Sequence, residues 1–86
     1  MEHADPETLA ELEDLLNALR SHTEVKEHRP GYFYCKGKSL THFHVDPSGV
    51  YADAKTDGRW VRLRVMSQPE KQHFLALIER EIGNRK

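Results

Sequence analysis

The sequence contains a single cysteine, Cys35, and no long apolar run. One cysteine excludes an internal disulfide and a cysteine-based zinc knuckle. No apolar stretch approaches the ~20 residues that a membrane-spanning helix needs, and the N-terminus lacks the basic and apolar regions of a signal peptide. We therefore expect a soluble, cytoplasmic protein that does not bind membranes.

An excess of charge of one sign is also missing. The chain has 13 Lys and Arg residues and 14 Asp and Glu residues, which gives a formal net charge of −1. This balance provides no overall attraction to nucleic acid or to an anionic membrane, so such a partner would need a local patch of charge. With 86 residues, the chain is long enough for one domain, residues 1 to 86, with a single modest core.

Two amphipathic helices are predicted near the ends of the chain. Asp5 and Pro6 suit the start of a helix over about residues 6 to 21, and its leucines fall on one stripe at helical spacing. Ser67 and Glu70 have the spacing of a capping box at the start of a second helix, over about residues 68 to 82. Gly83 suits the end of that helix, so we expect the last residues to form a short frayed tail.

Four strands are predicted between the helices, over about residues 32–36, 39–45, 50–56 and 59–65. They are rich in β-branched and aromatic residues and are separated by Gly-Lys, Asp-Pro-Ser-Gly and Asp-Gly turn signals. Residues 22 to 31 read as a connection, with a short strand at Val25 left open. The predicted fold is α+β: a two-layer sandwich in the order α-β-β-β-β-α, with a four-stranded antiparallel meander and both helices on one face.

The turns set a register for these strands. With Asp57-Gly58 and Gly37-Lys38 as two-residue turns and Asp-Pro-Ser-Gly as a four-residue loop, each strand has one face towards the helices and one open face. The predicted core face holds Tyr32, Tyr34, Phe43, Val45, Val50, Ala52, Ala54, Val61, Leu63 and Val65. The predicted open face holds Phe33, Cys35, Leu40, His42, His44, Tyr51, Asp53, Lys55, Trp60, Arg62 and Arg64. A three-residue loop over residues 47 to 49 is the alternative, and it would turn the histidines towards the core.

The open face is the expected functional surface, and a non-enzymatic binding module is the function that it favours. Its polar groups form two predicted rows, with Trp60 at the edge. The rows are His42, Asp53 and Arg62, then His44, Tyr51 and Arg64. Arginines and imidazoles can hydrogen-bond a protein or a small anionic ligand while aromatic rings supply apolar contact.

An apolar corner on the same face also suits an interface. Exposed apolar patches often mark contact surfaces, and a homodimer through the open face would cover this one. The alternative is that the 22–31 connection or the C-terminal tail folds over it. The corner consists of Phe33, Cys35, Leu40 and Trp60.

Catalysis has the least support in the sequence. Cys35, His42 and Asp53 would line up in this register as a thiol, an imidazole and a carboxylate. A flat sheet supplies neither an oxyanion hole nor a pocket that excludes water, so we assign no catalytic residue.

Two further binding functions stay open. His42 and His44 lie two residues apart on one strand face, and with Asp53 from the next strand they resemble a three-ligand zinc site, although Arg62 would repel the ion. We otherwise expect no cofactor. Single-stranded nucleic acid is the other alternative, because Arg62 and Arg64 lie beside Trp60 in a pattern typical of base-stacking surfaces.

The stretch "RPGYFYCKGKSLTHFHVDPSGVYADAKTDGRWVRLRV", residues 29 to 65, resembles small uncharacterised bacterial proteins. The shared features are a Lys-Gly-Lys turn, a His-x-His strand and an Ala-Asp strand. The resemblance implies a bacterial origin and no particular activity.

Overall fold

The structure, a computed structural model, describes residues 2–3 and 5–85 and is α+β, with an open antiparallel sheet and three helices. Five strands form the sheet in the order β2-β3-β4-β5-β6, and a two-residue strand, β1, pairs with β4 beside the end of β3. The elements are β1 (Glu2–His3), α1 (Pro6–Glu11), α2 (Glu13–Arg20), β2 (Val25–Arg29), β3 (Tyr32–Cys35), β4 (Lys38–Asp46), β5 (Gly49–Thr56), β6 (Arg59–Arg64) and α3 (Gln68–Asn84). Among the described residues, no helix combines the length and the apolar character that crossing a bilayer requires.

The predicted helix starts are confirmed. The Asp5 carboxylate accepts a hydrogen bond from the Thr8 amide at 2.8 Å, and Ser67 and Glu70 cap α3 reciprocally. The first predicted helix is divided in two, because the backbone at Leu12 leaves helical geometry between α1 and α2. The second helix continues through Gly83 to Asn84, so Gly83 does not end it.

The predicted pairing of the last three strands is confirmed. Phe43 pairs with Ala52 and Ala52 pairs with Leu63, so the four-residue reading of Asp-Pro-Ser-Gly gives the observed register. Asp57 and Gly58 both have positive φ, at 51° and 78°, which is the geometry of a two-residue type I′ turn. The histidines of β4 therefore lie on the face away from the helices.

The prediction for β3 is wrong both in its turn and in its faces, and the first turn is Lys36-Gly37 and not Gly37-Lys38. Lys36 and Gly37 have φ values of 54° and 78°, again a type I′ turn, and Cys35 pairs with Lys38. The new turn alone moves each pairing by two residues of β4 and keeps the faces, so it is an extra residue in β4 that reverses the faces of β3. Tyr32 and Tyr34, predicted in the core, lie on the open face, whereas Phe33 and Cys35 are buried in the core.

A bulge in β4 determines which side chains of β3 face the core. The pairing shifts between Phe33 and Tyr34, which leaves Leu40 as an extra residue in β4. Leu40 was predicted on the open face, yet Leu40 and Thr41 are both buried, at 0% and 1% exposed. The bulge lets β4 turn Phe43 to the core while Phe33 on β3 also faces the core.

The core lies between the helices and one face of the sheet. Phe43 is its centre, in edge contact with Phe33 and 5.7 Å from the Phe74 ring of α3, centroid to centroid. The predicted apolar corner does not exist, because three of its four members are buried here. The buried hydrophobic residues are Leu9, Leu12, Leu15, Leu16, Leu19, Val25, Phe33, Cys35, Leu40, Phe43, Ala52, Ala54, Val65, Phe74, Ile78 and Ile82.

Two further predictions need correction at the edges of the fold. Val61, predicted in the core, is 39% exposed because β6 is the last strand of the sheet. Residues 22–31, predicted as a connection, contain the five-residue strand β2, which begins at Val25. This strand extends the four-stranded meander to five strands.

The C-terminal tail is anchored at Arg85, where the sequence predicts fraying. The Arg85 guanidinium donates to the Glu81 carboxylate at 2.7 Å and to backbone carbonyls of both flanking hairpins. The other Glu81 oxygen accepts from the amide of Asp57 in the β5–β6 turn. The carbonyl acceptors are those of Cys35, Lys38, Ser39 and Lys55. One buried ion pair therefore ties the end of α3 to two turns of the sheet.

Candidate functional site

The open face of the sheet is strongly asymmetric in charge. Strand pairing puts on it five cationic residues, Lys26, Arg29, Lys55, Arg62 and Arg64, and two acidic residues, Asp46 and Asp53. Its formal charge is therefore +3, whereas the complete chain is −1, so the rest of the chain carries −4. The near-neutral composition hides a basic sheet face and an acidic remainder.

Asp53 is the polar centre of this face. Both predicted rows are present: His42 pairs with Asp53 and Asp53 with Arg62, while His44 pairs with Tyr51 and Tyr51 with Arg64. Arg62 donates to both oxygens of Asp53, at 2.7 and 2.9 Å, and the imidazole Nε2 of His44 lies 2.8 Å from Asp53 Oδ2. The two rows therefore meet at one carboxylate.

The environment keeps the Asp53 carboxylate ionised. The Arg62 hydrogen bonds hold the pKa of Asp53 below its usual range, with His44 acting in the same direction, although partial burial opposes both. The same contact raises the pKa of Arg62. Only 14% of the Asp53 side chain is exposed, so this negative charge is directed at its neighbours more than at solvent.

His42, His44 and Asp53 form a compact group of metal-type ligands. One ligand atom from each residue can be chosen so that the three atoms all lie within 4.8 Å of one another. The alternation of β4 puts both imidazoles on one face, and the register with β5 brings the carboxylate beside them. The sequence predicted this grouping through the Asp-Pro-Ser-Gly loop.

Aromatic rings on the open face pack against one another. Tyr32 and His42 are stacked at 5.4 Å between centroids, with planes 9° apart, and the Arg29 guanidinium lies 4.2 Å from the Tyr32 centroid. His42 also contacts Trp60 at 5.1 Å, and His28 stacks on Tyr34 at 4.3 Å. The Tyr32 ring is thus engaged within the protein by both Arg29 and His42.

Strand β6 is the exposed edge of the sheet. Trp60 and Val61 are 48% and 39% exposed, on opposite faces of the strand. The side chains of Arg62 and Arg64 are about half exposed, at 50% and 52%. In the described part of the chain, no strand pairs with the outer side of β6. A shallow groove of about 280 Å³ at this edge is lined by Asp53, Trp60, Val61 and Arg62.

All of the predicted site residues lie on the open face or at its edge, and the structure brings Asp53, His42, His44 and Arg62 together. Arg64 is drawn towards Glu70 of α3, at 3.8 Å. The residues on this face that the sequence did not place there include Lys26, His28, Arg29, Tyr32, Tyr34 and Asp46. Placing both tyrosines here would have required the bulge in β4 to be predicted in addition to the Lys36-Gly37 turn.

The thiol, imidazole and carboxylate alignment is not present. Cys35 is 0% exposed and faces the core, whereas His42 lies on the opposite face of the sheet. The sheet itself separates the two side chains, so Cys35 cannot take part in chemistry on the open face.

Comparison with protein-family models, with curated proteins and with solved structures found no match for this chain. The resemblance to small bacterial proteins stays a prediction.

Proposed function

We propose that the protein is a non-enzymatic binding module that takes an acidic, extended segment of a partner protein along strand β6. The observation that carries the proposal is that this edge combines a backbone left unpaired in the part of the chain that the structure describes, exposed apolar side chains and positive charge. Its outer backbone groups have no partner strand in the described chain, its apolar side chains are exposed, and its arginines give it positive charge. An unpaired strand edge is the template that strand addition uses.

The charge of the face favours an acidic partner. A formal charge of +3 on the open face attracts an acidic segment and repels a second copy of the same face. Arg59, Arg62 and Arg64 would also approach their own counterparts if two β6 strands paired with each other. A homodimer through this face is therefore disfavoured by the same charges that favour an acidic peptide.

Side-chain presentation favours a peptide over single-stranded nucleic acid. Base stacking needs free ring faces, yet Tyr32 lies between Arg29 and His42. The half-exposed Trp60 can instead pack beside an extended chain whose backbone pairs with β6. Trp and Arg are the residue types that most often dominate protein–protein interfaces.

The test is a binding titration with a labelled peptide that alternates glutamate and valine, followed by anisotropy and by the fluorescence of Trp60, the only tryptophan. We expect saturable binding that weakens as salt is added. Amide NMR shifts should concentrate on β6. Arg64→Gln should weaken binding several-fold, whereas Arg80→Gln, on the exposed side of α3, serves as the matched control and should not.

Three results would contradict the proposal. The first is equal binding of the peptide and of a lysine–valine counterpart. The second is tighter binding of a single-stranded oligonucleotide of equal charge, which would support the nucleic-acid alternative. The third is a mass that rises with protein concentration and is lowered by charge reversal at Arg64, which would support the homodimer.

A further inference from the structure

We infer that His42, His44 and Asp53 form a binding site for a divalent transition metal such as Zn²⁺, and that Arg62 competes with the metal for the carboxylate. This site can exist whether or not β6 binds a peptide. It follows from the ligand types, from their spacing and from the rigid strands that carry them.

The three ligand atoms are close to metal-binding distances. They lie within 4.8 Å of one another, while ligands at ordinary zinc bond lengths are separated by about 3.4 Å in a tetrahedral site. The His44 imidazole and the Asp53 carboxylate are nearer than that, at 2.8 Å. Rotation of the His42 ring and a small separation of the other pair would therefore complete three ligands, and water would supply the fourth.

The paired strands make the backbone of the site rigid. His42 on β4 pairs directly with Asp53 on β5 in the centre of the sheet, and His44, which pairs with Tyr51, reaches the same carboxylate diagonally. The Thr41 hydroxyl donates to the backbone carbonyl of Asp53 at 2.8 Å from the core side. His42 is also enclosed by the rings of Tyr32 and Trp60. Ligands held on strands by packing meet a main requirement of a preorganised site.

In the present structure, the positive charge beside the Asp53 carboxylate is the guanidinium of Arg62. Its guanidinium binds both Asp53 oxygens, including Oδ2, which lies beside His44. A divalent ion at the site would repel the guanidinium and release it at least from Oδ2. The half-exposed Arg62 side chain can move into solvent, so displacement needs no change in the sheet.

The experiment is isothermal titration of the full chain with Zn²⁺, together with the absorption spectrum of the Co²⁺ form, which reports coordination number. We expect one equivalent to bind. Asp53→Asn and His42→Gln should each weaken binding at least about tenfold. The exposed His28, replaced in His28→Gln, controls for adventitious imidazole binding.

Arg62→Gln supplies the sharper test. Removing the competing cation should tighten Zn²⁺ binding about tenfold, a gain that a merely destabilised variant would not give. Arg64→Gln is the matched control, because Arg64 is on the same strand and face with nearly equal exposure and does not contact Asp53.

The inference is overturned if neither the natural chain nor Arg62→Gln binds Zn²⁺ at micromolar concentration. It is also overturned if Asp53→Asn binds as tightly as the natural chain, or if Arg62→Gln binds no more tightly than Arg64→Gln. These results leave peptide binding at β6 untouched, since the peptide titration contains no metal.

Discussion

Arg85→Ala should destabilise the protein far more than its position, one residue from the end of the sequence, suggests. The Arg85 side chain is 14% exposed and the Glu81 side chain 9%. The substitution removes one charged bond to Glu81 and four bonds to backbone carbonyls. It also leaves the Glu81 carboxylate buried without its counter-ion, a change that typically costs about 3–5 kcal/mol.

This loss is large against the whole stability of the chain. The usual scaling gives a free energy of unfolding of about 4–13 kcal/mol for a protein of this length. With a dependence on urea of about 1–3 kcal/mol/M, a loss of that size lowers the unfolding midpoint by roughly 1–5 M. The assay is urea unfolding followed by circular dichroism at a helical wavelength, with Arg80→Ala as the exposed control on the same helix.

A double-mutant cycle separates the ion pair from the rest of the network. Glu81→Leu and Arg85→Leu together should cost less than the sum of the two single changes, because the double variant leaves no unpaired buried charge. The reasoning is refuted if Arg85→Ala costs less than about 1 kcal/mol and matches Arg80→Ala. That result would mean that the tail frays, as the sequence alone predicts.

Two other perturbations test the helix end and the β2 edge. Gly83→Ala should stabilise the protein by about 0.5–1 kcal/mol, because a Cβ there meets no atom within 4 Å and Ala favours the helix. Gly58→Ala should instead destabilise it, since Gly58 has a φ of 78°; thermal unfolding that gives both variants the same sign would contradict this. At β2, the hydrogen bond from Arg20 holds the pKa of Glu27 below its ordinary value of 4.5. Because the folded-state pKa is the lower one, Glu27 contributes stability above about pH 4.5 and loses it as the pH falls through that folded-state pKa. The stability gap between the natural chain and Glu27→Gln should therefore close in acid, and a constant gap in urea unfolding across pH would refute the assignment.

The last three strands could be predicted from the sequence because their turns leave few alternatives. Asp57-Gly58 has the residue types that a type I′ turn requires, and the Asp-Pro-Ser-Gly loop fixes Val45 opposite Val50 once Asp53 is kept out of the core. Because successive side chains of a strand point to opposite faces, this register assigns a face of the sheet to every later residue of these strands. The row of His42, Asp53 and Arg62 follows from this register, which explains why the polar centre of the site was found.

The first hairpin could not be predicted in the same way. Lys-Gly-Lys fits a turn with Gly first or with Gly second, since types II′ and I′ are both common in hairpins. The two choices change the partners of β3 by two residues and leave Tyr32 and Tyr34 on the same face, so the bulge in β4 is what turns both tyrosines to the open face. The bulge at Leu40 carries no distinctive residue of its own, because it lacks the glycine that marks one common type of bulge. Only the burial of both Phe33 and Leu40 in the core shows which turn and which register the hairpin adopts.

Arg85 and the charged face were hidden for a different reason. A polar residue near a chain end is usually solvated, and nothing local marks Arg85 as the donor to carbonyls that are distant in sequence. The net charge of −1 likewise averages a basic face and an acidic remainder. Both features depend on which residues the fold brings together.

Asp53 links the two proposed sites, because it would ligate the metal and it also binds Arg62 of β6. Adding Zn²⁺ to the peptide titration therefore tests both sites together. Arg62 binds both oxygens of Asp53 at 2.7 and 2.9 Å, whereas Arg64 only approaches Glu70 at 3.8 Å, so Arg62 is the more neutralised of the two and Arg64 the more available to an acidic segment. A metal at His42, His44 and Asp53 would replace that neutralisation with a dication and release Arg62 towards solvent. The positive charge near β6 would then rise, so peptide affinity should increase with Zn²⁺ if both sites exist and should not respond to Zn²⁺ if only the edge binds. Linkage requires the converse as well: the acidic peptide should tighten Zn²⁺ binding by the same factor.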